Sequence, residues 1–201
     1  MDTRSDQEFL AWLAEAGIGV DPRFPHSDRL AFTASPDLSR FWLPNQAPSD
    51  LPEFLLTAVR AATAGGGCWM HLRGGGRWYA GEHASSREVV IGRMLPGSGI
   101  EPGVTGAVHY SPEEWQPLLV ALIAHYTLGW QVGNDVHIVP DNRSCVLMIG
   151  HHGELSCQCP DLASLNALVA AMASAGFELP DYVPDGTFKV PEWMPPASGT
   201  T

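Results

Sequence analysis

The densest set of groups able to bind a cation or move a proton falls in one short stretch of the chain: Asp135, His137, His151, His152 and Glu154. Imidazole changes charge near neutral pH, so beside carboxylates it can relay protons, ligate a metal ion or contact a partner. The surrounding residues read as a strand meander, which would carry these side chains to the rim of one sheet. Against this, His151 and His152 are adjacent, so a tight turn tends to point them apart, and His152-Gly153 is chemically adequate as a turn alone. The cluster is read as a binding patch, with no catalytic residue assigned.

Four cysteines offer a second chemistry: Cys68, Cys145, Cys157 and Cys159. Cys157 and Cys159 would face one side of a strand, and with a turn histidine they could hold zinc. Structural zinc sites, however, present their cysteines from tight turns, whereas this pair alternates with Ser156 and Gln158 as a buried strand does. Cys68 and His71 would lie on opposite faces of a strand, and no cysteine sits at a helix start or beside a cation that would lower its pKa. Reduced, buried thiols are the expectation.

Arg73-Gly74-Gly75-Gly76-Arg77 has open amides between two guanidinium groups, an anion cradle in outline. It lacks the Gly-Lys-Ser/Thr ending of a Walker loop, and Trp78-Tyr79-Ala80 reads as a strand where a dinucleotide fingerprint needs a helix. A hairpin tip is the simpler role. Gly97-Ser98-Gly99 lacks the glycine spacing of a nucleophile elbow. No cofactor is expected.

The elements that must position these groups have clear punctuation. Ser5-Asp6-Gln7-Glu8 is a capping box, and Phe9, Leu10, Leu13 and Ala14 recur at helical spacing, which predicts a helix to about Ala16 stopped by Gly17. Prolines break residues 19–50, leaving Leu30 to Thr33 and Phe41 to Leu43 as short strands. A helix over Pro52 to Thr63, capped by Asp50 or Ser49, should precede a hairpin of Cys68 to Leu72 with Arg77 to Ala80, then a strand at Glu88 to Met94. Ser111-Pro112-Glu113-Glu114 is a second capping box, but Pro117 predicts a kink or late start for the apolar helix Leu118 to Leu128, ended by Gly129. Strands at Val136 to Val139, Cys145 to Ile149 and Leu155 to Cys159 form the meander. A last helix runs from the Asp161 cap to about Ala175.

These elements give an α+β fold, antiparallel sheet packed by about four helices, in one domain over residues 1–201. The glycine- and proline-rich stretch Pro96 to Gly106 would divide two similar helix-plus-hairpin halves, 1–100 and 107–195, although no repeat of fixed period supports a relation between them.

Composition narrows the function. With 45% hydrophobic and 16% charged residues the chain is of the globular class, long enough to bury roughly 70% of its unfolded surface. Its start lacks a secretory signal, and its longest apolar run, Leu118 to Ala124, is far below the roughly 18 residues of a membrane helix, so a cytoplasmic location is expected. Twenty-two acidic against eleven basic residues give a charge of −11, which repels nucleic acid and anionic membranes and steers basic proteins inward. The acidic residues are scattered, not arrayed in runs, which argues against a nucleic-acid mimic. Of seven tryptophans, Trp12, Trp69, Trp115 and Trp130 should face the core, while Trp42, Trp78 and Trp193 should be partly exposed, with Trp78 joining the binding patch as an aromatic anchor. The reading is a non-enzymatic, acidic protein-binding module, by class analogy a bacterial immunity-type antidote to a basic toxin. The alternative is a metal-dependent hydrolase or other small-molecule enzyme using His137, His151 and His152.

Overall fold

Cys68–Leu72, Val136–Pro140, Val146–Ile149 and Leu155–Gln158 are buried at every position, so the sheet they build meets water on neither face along these strands. That explains why the first three read as largely apolar runs, while Leu155–Gln158 alternates apolar residues with buried polar Ser156 and Gln158. The structure, a computed structural model, describes residues 2–24, 28–42, 50–72, 78, 93, 95–101, 103–132, 135–150 and 154–177.

In chain order the elements are β1 (Thr3–Arg4), α1 (Asp6–Ala14), β2 (Ile18–Val20), β3 (Leu30–Phe32), β4 (Ser39–Trp42), α2 (Leu51–Thr63), β5 (Cys68–Leu72), a 3-10 turn at Leu95–Ser98, β6 (Ala107–Tyr110), α3 (Trp115–Val132), β7 (Val136–Pro140), β8 (Val146–Ile149), β9 (Leu155–Gln158) and α4 (Leu162–Ser174). Seven strands pair antiparallel in the order β1-β6-β5-β7-β8-β9-β4, and β2 pairs with β3 in a separate small sheet. The fold is α+β, and the β7-β8-β9 meander forms as expected. No described helix is long and apolar enough to cross a membrane.

Two apolar clusters sandwich the large sheet. Phe54, Leu55 and Val59 of α2, Leu118 and Leu122 of α3, and Leu165 and Met172 of α4 pack on the face carrying Met70, Ile138 and Leu147. On the opposite face Phe9 and Leu13 of α1 and Ile18, Leu30 and Phe32 of the small sheet cover Trp69, Val139 and Val146.

Local signals account for the helices. The Ser5 hydroxyl accepts from the Glu8 amide at 3.3 Å and the Glu8 carboxylate accepts from the Ser5 amide at 2.9 Å, so the capping box at α1 is complete in both directions. At α4 the Asp161 carboxylate accepts from the Ser164 amide at 2.8 Å, and left-handed Gly176 returns the chain so that the Phe177 amide bonds the Met172 carbonyl at 3.0 Å.

The structure corrects several expectations. Asp50 precedes α2 without a side-chain cap. The α3 helix starts at Trp115, which places Pro117 in its first turn, where a missing amide leaves no bond unmade, and it continues through Gly129 to Val132. β5 pairs with β6 on one side and β7 on the other, where a hairpin with Arg77 to Ala80 was the expectation. Of Arg77 to Ala80 only Trp78 is described, and its amide bonds the Val104 carbonyl at 2.8 Å. Of Glu88 to Met94 only Arg93 is described, and it is helical. Strands from both sides of residues 96–106 share the one large sheet, and within that stretch Ser98 and Ile100 are buried.

Gly106 shows how tightly the β1 edge is held. Its φ is +78°, and a Cβ there would collide with the Arg4 carbonyl group, which is backbone and cannot swing away. Gly106→Ala is expected to destabilise the protein by at least about 2 kcal/mol, read as a lowered urea midpoint with an unchanged m-value.

Candidate functional site

His137 sits on β7, fully buried, between the large sheet and the small one. Within the small sheet the amides of Ala31 and its odd-numbered neighbours face β2, as the Thr33 to Gly17 bond shows, which leaves the Leu30 and Phe32 amides pointing outward. His137 Nε2 accepts from the Leu30 amide at 3.3 Å and Gln158 Oε1 accepts from the Phe32 amide at 2.6 Å, while Gln158 Nε2 donates to the Pro36 carbonyl at 2.8 Å. Two side chains of the large sheet thus satisfy the open edge of the small one. Accepting from an amide fixes His137 as the tautomer with its proton on Nδ1.

His71 lies opposite His137 in the β5-β7 register, the rings stacked at 6.2 Å and 15°. Its Nε2 donates to Asp6 Oδ1 at 2.8 Å, and Phe9 stacks against it at 4.8 Å. Burial pushes the His71 pKa below its ordinary value, against the opposing pull of Asp6. On α3, His125 is buried against the edge of Trp78 and burial alone lowers its pKa to about 3.

The expected rim position does not hold for Asp135 and His137. Asp135 and His137 are buried, while Glu154 is half-buried with its carboxylate folded against Gly150. His151 and His152 lie outside the described residues. Among the described residues no three His, Cys, Asp or Glu side chains converge as a metal-holding group. Trp78 is also corrected: it is 0% exposed, its indole Nε1 donating to the Gly106 carbonyl at 2.8 Å, so it anchors the core and not a partner. Trp42 is likewise buried, whereas Trp115, expected inside, is 41% exposed.

All four cysteines are buried and free. Desolvation pushes the Cys68 and Cys145 thiols up to about 12, and Cys157, in hydrogen-bonding reach of Cys159, is also raised. A thiolate is the reactive species, so Cys68, Cys145 and Cys157 are held inert; Cys159, lowered by its hydrogen bond with Cys157, is shielded by burial alone. In native buffer at pH 8 a thiol reagent is expected to label none of the four within minutes and all four after denaturation; fast labelling of one in the native protein would contradict the burial.

A polar and aromatic surface that no sequence pattern signals is assembled around α1. The Arg4 guanidinium lies between the rings of Trp12, at 4.8 Å, and Trp69, at 4.3 Å. Arg143 covers Trp12 at 5.2 Å and donates to the Trp12 carbonyl at 2.7 Å and the Glu15 carboxylate at 2.9 Å. Next to them His109 pairs with Asp141 at 3.0 Å, and the His109 amide donates to the Asp2 carbonyl at 2.9 Å. Asp2, Glu8, Glu15 and Asp141 are exposed around this aromatic group, and Leu10 is 42% exposed on the same helix. No spacing rule unites residues from three strands, a helix and a turn, and only the fold brings them together.

No protein-family model matches the chain, and neither the curated proteins nor the solved structures contain a significant match to it.

Proposed function

We propose that the chain is a non-enzymatic binding module that docks a basic protein through the acidic, aromatic face around α1. The observation that carries the reading is that face itself, with exposed Asp2, Glu8, Glu15 and Asp141 near half-buried Trp12. An aromatic anchor stacked with Arg4 and Arg143 and bordered by more carboxylates than cations suits a partner with an apolar contact and a basic rim. The charge of −11 adds long-range steering toward such a partner and opposes phosphate backbones, so nucleic acid is not the expected ligand. An immunity-type antidote that masks a basic toxin is a cellular role consistent with this chemistry. The imidazole-based alternative draws less support, since His137 Nε2, a ligand atom it would need, already accepts the Leu30 amide.

The test is capture from source-cell lysate at low and at moderate salt, followed by reconstitution with the purified partner. The expected result is one stoichiometric, basic protein whose affinity falls with ionic strength and falls further with the Asp2→Lys, Asp141→Lys double variant. No stoichiometric partner at either salt would remove the reading's support.

A further inference from the structure

Between α2 and the start of α3 lies a half-open groove of about 290 Å³. Leu56 and Val59 of α2 and Leu118 of α3 form its walls, and Tyr110 of β6 lies at its floor. The Tyr110 hydroxyl donates to the Ser98 carbonyl at 2.9 Å, so its polar end is already engaged and its ring contributes apolar surface. At the rim Arg60 places its guanidinium 5.9 Å from the centroid of exposed Trp115.

Arg23, Arg29 and Arg143 each pair with a carboxylate and Arg4 is held between Trp12 and Trp69, whereas Arg60, the one arginine lining this groove, is exposed and has no carboxylate partner among the described residues. In a chain with twice as many acids as bases, one guanidinium held over an aromatic ring beside an apolar groove and left without an acid is a recognition feature for an incoming carboxylate. Glu114, at the start of the same helix as Trp115, is turned onto the Ser111 amide at 2.9 Å.

We propose that this groove binds a small aliphatic carboxylate, with the acyl chain along Leu56, Val59 and Leu118 above Tyr110 and the carboxylate on Arg60. The groove is at the small end of ligand pockets, which suits a short chain over a bulky ring system. The net negative charge opposes an anion at long range, but at about 0.15 M salt the screening length of about 8 Å leaves the neighbouring guanidinium dominant. The site is separate from the α1 face, and its occupancy does not depend on the protein partner.

Octanoate is the probe, titrated into the methyl-labelled full chain at physiological salt, with octylammonium as the charge-reversed control. Saturable octanoate shifts are expected at the Leu56, Val59 and Leu118 methyls. Octylammonium should bind at least tenfold more weakly, although the overall charge favours the cation, and Arg60→Gln should weaken octanoate at least tenfold with the remaining methyl spectrum unchanged. No saturable shift, equal binding of the two probes, or octanoate affinity unaffected by the substitution would each overturn the proposal. The comparison of probes on the unaltered chain keeps it testable even if the variant folds poorly.

Discussion

Acidification from pH 6.5 toward pH 4 is expected to cost this protein several kcal/mol of stability before most carboxylates titrate. His125 is buried on α3 with its pKa lowered to about 3 by desolvation, and His71 is lowered by burial in the layer under α1. A histidine whose folded pKa lies below its unfolded value binds fewer protons when folded. Its stabilising contribution is complete above about pH 6.5 and is lost as the pH falls toward the folded pKa. Each such imidazole costs about 1.4 kcal/mol per pH unit inside that window, so His125 alone accounts for about 3 kcal/mol by pH 4. Urea midpoints between pH 8 and pH 4 would show the decline, and His125→Met, of similar bulk, should flatten the slope by about one proton. An unaltered slope in that variant would mean that His125 is protonated in the folded state or accessible to water.

Trp78→Ala should be among the most damaging single substitutions. The ring is completely buried, packs edge-on at 5.3 Å against His125, and ties the chain to the Gly106 carbonyl through its indole nitrogen. Truncating a buried tryptophan costs about 3 to 5 kcal/mol, with the unpaired Gly106 carbonyl adding to the loss. Trp78→Phe keeps most of the apolar contact but not the hydrogen bond, so its cost should be smaller, about 1 to 3 kcal/mol. Denaturation midpoints of the two variants test the order; a harmless Trp78→Ala would return this residue to the surface role its sequence context suggests.

That role illustrates what the sequence could and could not convey. Elements governed by neighbours in the chain were legible: the Ser5 and Glu8 capping box, the Asp161 cap with the Gly176 return, and the three short runs of the β7-β8-β9 meander. Partner choice between distant strands was not. Arg73 to Arg77 has the glycine content of a hairpin tip, yet β6, a run too short to stand out beside Gly106, takes the place its second strand would have filled. Trp78 looked like a hairpin residue for the same reason. Pro117 interrupts a helix that starts at Pro112 after the Ser111 box but is tolerated in the first turn of one that starts at Trp115, so three residues in the start decide its effect. His137 was legible as a polar group but not as an acceptor, because its donor, the Leu30 amide, lies 107 positions away. The acidic face around α1 combines residues spread from Asp2 to Arg143 and has no local signature.

The account rests on the most suggestive imidazole serving the fold. Nitrogen-15 spectra of labelled imidazoles at neutral pH, with and without added zinc, address this directly. His137 should show a protonated Nδ1 and a bare Nε2 coupled to the Leu30 amide, unchanged by the metal. A protonated Nε2, or a zinc-induced shift at that nitrogen at stoichiometric metal, would contradict it and bring the enzymatic alternative forward.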